Sequence, residues 1–155
     1  MQRVNDLVLV PCMLALLAAA GVLTYSIVVR YVYKVATDWQ DEAAVFLLVG
    51  ASFMSTAYVQ SYRGHVAIEA LAGVLPPRID RLRRVVADTA SAGFIAFFAW
   101  KSWTLLHQAW SEGQTTASLW APPLWIPYGT MALGMSLLAV QAMLQALERW
   151  TGEPL

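Results

Sequence analysis

A chain of 155 residues with a formal net charge of zero carries no electrostatic footprint for nucleic acid or for a strongly acidic partner. It is 59% apolar and 13% charged, about half the charge of an ordinary soluble domain. Its single cysteine, Cys12, excludes an internal disulfide and a paired-cysteine redox site.

The charges are clustered, and the gaps between them predict the elements. A hydrocarbon core about 30 Å thick is spanned by roughly 20 apolar helical residues, each rising about 1.5 Å. Between Asp6 and Arg30 lie 23 uncharged residues, which predict a first span over Leu7–Val29, with Pro11 tolerated in its first turn. Arg3 and Ala18-Ala19-Ala20 give this stretch some likeness to a signal peptide. The apolar run continues through Gly21-Val22-Leu23 to Val29, longer than a signal-peptide core, so a retained helix is expected.

The segment Asp38-Trp39-Gln40-Asp41-Glu42 precedes the second span, Ala43–Tyr62, which lies in a 20-residue gap between Glu42 and Arg63. Acids at this place face the positive end of a helix dipole, and Asp38 or Asp41 can cap its free N–H groups. Capping is the preferred reading on chemistry alone, with an acidic docking surface as the alternative.

From His65 to Leu75, the residues Ile68, Leu71, Ala72 and Leu75 share one helical face, and Pro76-Pro77 ends the run. The stretch is too short to span. A short amphipathic helix over about 65–75, lying flat at the membrane interface, is expected. The following Arg78, Arg81, Arg83 and Arg84 can meet anionic lipid headgroups, and Asp80–Arg84 and Arg84–Asp88 are spaced to pair along a helix. A third span, about Val85–Leu106, requires Lys101 to snorkel and accommodates Asp88 near its start. An acid within a span is a candidate functional site because charge is costly there, but pairing with Arg84 at the interface accounts for Asp88 structurally.

The fourth span, Leu124–Leu147, falls in a 35-residue gap between Glu112 and Glu148 and is opened by Pro122-Pro123 and Pro127. Small residues four apart recur as Ala51/Ser55, Ala92/Ala96, Thr130/Gly134 and Ala142/Ala146, suited equally to contacts within the chain or with a partner. The expectation is one all-α membrane domain over residues 1–155, with four transmembrane helices and an interfacial helix between the second and third.

With the N-terminus inside, seven basic residues (Arg3, Arg63, Arg78, Arg81, Arg83, Arg84, Arg149) lie on inner segments and three (Arg30, Lys34, Lys101) on outer ones. Both termini are therefore expected in the cytoplasm. Trp39, Trp100, Trp103, Trp110, Trp120 and Trp125 then fall near the outer face and Trp150 near the inner one.

Little in the chain is equipped for chemistry. The two histidines, His65 and His107, fall at opposite faces on this topology, too far apart to ligate one haem iron. No metal-ligand cluster, phosphate loop or nucleophile–base pair is evident, so neither an enzyme nor a cofactor is expected. The alternative class is a membrane anchor of a respiratory enzyme that shares haem or quinone with a partner. A small stand-alone drug exporter would need an acid deep in Leu7–Val29, which has none.

The order of features resembles a known family. Arg30-Tyr31 closes the first span; Trp39 and Asp41-Glu42 precede a second span containing Gly50. Arg63-Gly64-His65-Val66 leads a short amphipathic stretch to Leu75-Pro76, and Ser118-Leu119 precedes Pro123-Leu124-Trp125-Ile126-Pro127. Over nearly the whole chain this is similar to the small membrane subunit of tripartite ATP-independent periplasmic (TRAP) transporters. Asp41 stands where the family usually has glutamate, and Ala121-Pro122-Pro123 carries an extra proline. The resemblance implies a non-catalytic subunit of a sodium-driven transporter for an organic acid or related solute, in a bacterial inner membrane. It implies two partners, a large multi-span transport subunit and a soluble extracytoplasmic substrate-binding protein. It also implies that Trp39, Asp41 and Glu42 face the docking side, while Arg63 and His65 anchor the cytoplasmic interface, with Pro123 and Trp125 as further candidates for docking or for an interface.

Overall fold

The computed structural model describes residues 2–35, 39–61 and 77–151. The expected interfacial helix over 65–75, with Arg63 and His65, lies outside the described residues, as does Asp38. The side chains of Asp80 and Arg84, on which the expected pairs along the third helix depend, lie outside them too.

The described chain is helical. Helix α1 covers Gln2–Val28 and runs into a π-helical turn, Val29–Tyr33, that stops at Lys34 in a left-handed conformation (φ 53°, ψ 30°). Helix α2 covers Trp39–Ser61, α3 Pro77–Ser111 and α4 Trp125–Thr151. Among the described residues three stretches are long and apolar enough to cross a membrane: Leu9–Tyr33, Trp39–Gln60 and Trp125–Leu147. The expectation of four is therefore met in helix number but not in apolarity. Helix α3 is the longest, at 35 residues, yet its apolar part is diluted by Asp88, Lys101 and small polar residues. It also begins earlier than the expected span, because Pro77 opens a helix at a first-turn position and the arginine segment simply continues it.

The helices form an open row. Among the described residues α1 packs on α2, α2 on α4, and α4 on α3, with no contact that closes the row into a bundle. Helices α2 and α4 run parallel, since Gly50 lies beside Thr130, Phe53 beside Gly134, and Gln60 beside Gln145. The seams are built from small side chains. Nine of the eleven buried apolar residues described are alanines, including Ala19, Ala44, Ala51, Ala99, Ala132 and Ala142. On α1 the buried positions Cys12, Ala19 and Ser26 recur every seven residues, the repeat of a helix seam. Large apolar side chains point outward instead: Leu17 is 70% exposed, Ile27 67% and Phe94 66%. This reverses the pattern of a soluble core and suits lipid, where close backbone approach rather than apolar burial joins helices.

The closest approach is at Gly134. A Cβ there would overlap the carbonyl group of Phe53 and come within 2.9 Å of the Met54 nitrogen. The Thr130/Gly134 pair thus serves a contact within the chain. Farther along the same seam, the Gln60 Nε2 donates to Gln145 Oε1 at 2.9 Å, and Gln145 Nε2 returns a bond to the Gln60 carbonyl at 2.9 Å.

Candidate functional site

Five of the residues singled out from the sequence, Trp39, Asp41, Glu42, Pro123 and Trp125, converge at the end of the row where α1 stops, α2 and α4 begin, and α3 hands over to a loop. The loop is built by specific local geometry. At the end of α3, the Gly113 N–H donates to the Trp110 carbonyl (3.3 Å) and the Gln114 N–H to the Ala109 carbonyl (3.0 Å), with Gly113 at φ 60°. This is a Schellman cap, which needs a left-handed residue where glycine pays no Cβ penalty. The chain then doubles back. Thr115 and Pro123 form an antiparallel bridge, the Thr116 N–H donates to the Pro122 carbonyl (3.1 Å), and the Leu124 N–H donates to the Gln114 carbonyl (2.9 Å). At the tip, the Ala121 N–H donates to Ser118 Oγ at 3.1 Å while Ala121 sits at φ 46°. The pinned hairpin holds Leu119 out at 91% exposure.

Tryptophans lace this end together. Trp39, at the start of α2, meets Trp120 of the hairpin edge-on with ring centres 6.4 Å apart. Trp125, at the start of α4, meets Trp110 of α3 at 5.1 Å. Pairs of this geometry contribute about 0.5–1.5 kcal/mol each beyond their buried area. Pro123 is fixed by the bridge to Thr115.

Asp41 and Glu42 both stand in the first turn of α2, at the positive end of its dipole as expected, but Asp41 does different work from a cap. Asp41 accepts a hydrogen bond from Ser26 Oγ (3.3 Å) and pairs with Arg30 (3.0 Å), both on α1 and its π turn. Its carboxylate therefore ties two helices together across the α1–α2 connection, and the capping role preferred from the sequence is corrected for this residue. Sequence reasoning missed Ser26 and Arg30 as its partners. The available signal was that Arg30 and Asp41 are ionic residues flanking one short connection between apolar runs.

Beside them, α2 and α4 diverge to leave a groove of about 530 Å³. It is lined by Val45, Phe46, Val49 and Phe53 of α2 and by Tyr128 and Met131 of α4, with Asp41, Glu42 and Thr116 also at its edge, and its surface is almost wholly apolar. The Oε2 atom of Glu42 is buried and accepts no hydrogen bond.

Asp88 is not brought to this end. It is half-buried on α3, near the helix start. Lys101 lies over the Trp100 ring at 5.0 Å. His107 is exposed near the end of α3. No group of three or more His, Cys, Asp or Glu side chains able to hold a metal occurs among the described residues.

A chain built as small-residue seams with a tryptophan-laced end matches, over residues 19–152, the family described as tripartite ATP-independent periplasmic transporters, DctQ component. The chain belongs to this family. It is a TRAP transporter small permease component, a membrane protein and not an enzyme, which decides against the respiratory-anchor alternative. Among its relatives is the C4-dicarboxylate TRAP transporter small permease protein DctQ of Vibrio cholerae, 25% identical over 167 aligned residues that cover 88% of this chain and 68% of the relative. Another is the isethionate TRAP transporter permease protein DctMQ of Oleidesulfovibrio alaskensis, 25% identical over 134 residues. That match covers 83% of this chain but only 21% of the relative's length.

Proposed function

We propose that this DctQ component is the non-catalytic wall of a sodium-driven importer for an organic acid, a C4-dicarboxylate or a small sulfonate such as the relatives' names specify. The observation that carries the reading is the open row. Its helices join through small residues and leave large apolar side chains outward, a shape suited to widening a larger membrane protein. A large transport subunit is the natural neighbour, and the relative whose name joins M and Q in one chain supports that pairing.

In this reading all four helices cross the bacterial inner membrane with both termini in the cytoplasm. Helix α3, at about 1.5 Å per residue, is long enough to cross with its arginine-rich start projecting inside. Lys101 reaches the interface beside Trp100, and Asp88 lies near the inner boundary. Trp39, Asp41, Glu42, Pro123 and Trp125, joined by Leu119 and Trp120, form the outer surface that receives the soluble binding protein.

Affinity purification of the tagged chain from native membranes tests the reading. A much larger polytopic protein should copurify in constant proportion; a stable solitary chain would overturn it.

A further inference from the structure

Helix α3 begins with a surplus of positive charge. Arg78, Arg81, Arg83 and Arg84 all stand near its start, and Asp80 and Asp88 balance only two of the four, whichever arginines they take. Helix α4 runs antiparallel to α3, since Trp110 meets Trp125 and Trp103 bonds to Ser136, so α4 ends beside this start. The ionic residues there, Glu148 and Arg149, cancel.

An apolar lane leads away from these charges. Arg83, Val86, Ala90, Gly93 and Phe97 follow one another at steps of three and four residues, so they share one side of α3. Among the described residues α3 packs on α4 alone, through buried positions that include Ala92 and Ala99 on the other side of the helix. The lane is therefore turned outward: Val86 is 58% exposed, Phe97 50%, and a Cβ at Gly93 would meet nothing within 4 Å. Arg83 is partly exposed at its head. From Arg83 to Gly93 the helix rises about 15 Å, the depth of about one leaflet.

We propose that this side of α3 binds a phospholipid of net negative charge, with its phosphate at Arg83 and one acyl chain along Val86, Ala90 and Gly93. Charge complementarity selects the headgroup. A guanidinium can hold a phosphate through two N–H donors, and the surplus around it favours a headgroup whose phosphate is uncompensated. A zwitterionic headgroup carries its own ammonium, which the same surplus repels. A soluble anion would leave the lane uncovered, whereas a lipid matches its order, charge first and carbon beyond. Only the leaflet concerned, the inner one, rests on the proposed orientation.

The test uses the full chain purified with its large subunit, stripped of lipid, and offered phosphatidylglycerol, phosphatidylethanolamine or phosphatidylcholine with identical tails. Native mass spectrometry counts retained lipids. Phosphatidylglycerol should be kept with a preference of about tenfold over either competitor, and Arg83→Gln should reduce that to about twofold, since one arginine near an anionic headgroup is worth about fivefold. Lys101→Gln removes a positive charge from the far end of the same helix and should leave the preference unchanged. Gly93→Trp, for which there is room, should lower phosphatidylglycerol retention severalfold while the large subunit still copurifies. Equal retention of the three lipids, an unchanged preference in Arg83→Gln, or full retention in Gly93→Trp would overturn the proposal. An equal loss in Lys101→Gln would also overturn it, by reducing the effect to diffuse charge. So would loss of the large subunit with Arg83→Gln or Gly93→Trp, which would assign this side of α3 to that protein. If the wild-type chain arrives without a large subunit, the proposed function fails alone, and the lipid measurement is read on the chain by itself.

Discussion

Gly134 and Gly50 face the same seam between α2 and α4, yet they have unequal importance. A methyl group at 134 would run into the backbone of Phe53, which belongs to a helix and cannot step aside as a side chain can. A methyl group at Gly50 would sit 3.6–3.7 Å from the Thr130 side chain, an ordinary contact. Gly134→Ala should therefore destabilise by about 1–3 kcal/mol through overpacking and lower the melting temperature in detergent. Gly50→Ala should be neutral or slightly stabilising, since alanine is the better helix former by up to about 1 kcal/mol. Equal melting temperatures for the two variants would contradict the packing described. The sequence flags Thr130/Gly134 as a small pair, but spacing along one helix does not say which neighbour it meets. Asp41 shows the same limit. Its place in the first turn of α2 suggests a cap, and only the position of α1 reveals that Ser26 and Arg30 claim its carboxylate. That ion pair is more than half exposed on both sides, so its worth is orientation of the connection more than stability.

At the scale of elements, charge-free runs predict α1, α2 and α4 well because a helix in lipid must satisfy its own backbone, which ties helix length to apolar length. Helix α3 departs from the expected boundaries because its first turns lie outside that constraint; Pro77 starts it and nothing stops it before Ser111. The hairpin after α3 was legible only as a proline-bearing stretch. Its form depends on a Schellman cap at Gly113 and on bonds from Thr116 and Leu124 to residues across the loop, which no periodicity encodes. The consequence is an apolar tip held rigidly in the open. Leu119 is 91% exposed and contributes almost nothing to the fold, so Leu119→Asp should leave the melting temperature unchanged. If the tip receives the soluble binding protein, the same variant should weaken uptake that depends on that protein severalfold, with the large subunit still copurifying. Undiminished uptake would remove Leu119 from the docking surface.

At the scale of the molecule, the order of helices in the row was not legible, because every helix is apolar on several sides and small-residue pairs occur in α2, α3 and α4. The direction proposed for the row, by contrast, rests on the distribution of basic residues, and the structure puts a consequence within reach of experiment. Trp39, Trp110, Trp120 and Trp125 gather at one end, and the arginine-rich start of α3 lies at the opposite end of that helix. A single reporter at each end therefore reads the whole topology. Cys12 is buried in the α1 seam, and Cys12→Ala removes the native thiol with a small-residue replacement suited to that seam. In this background Thr115→Cys, on the exposed hairpin, should react with a membrane-impermeant thiol reagent applied to intact cells. Asp80→Cys should react only after the inner membrane is opened. The proposed orientation rests on the seven-to-three excess of basic residues that it places on the inner segments, since translocating each arginine is costly and the bias accumulates over short loops. Labelling of Asp80→Cys but not Thr115→Cys in intact cells would invert the orientation, move the tryptophan-laced end to the cytoplasm, and exclude it from receiving an extracytoplasmic protein.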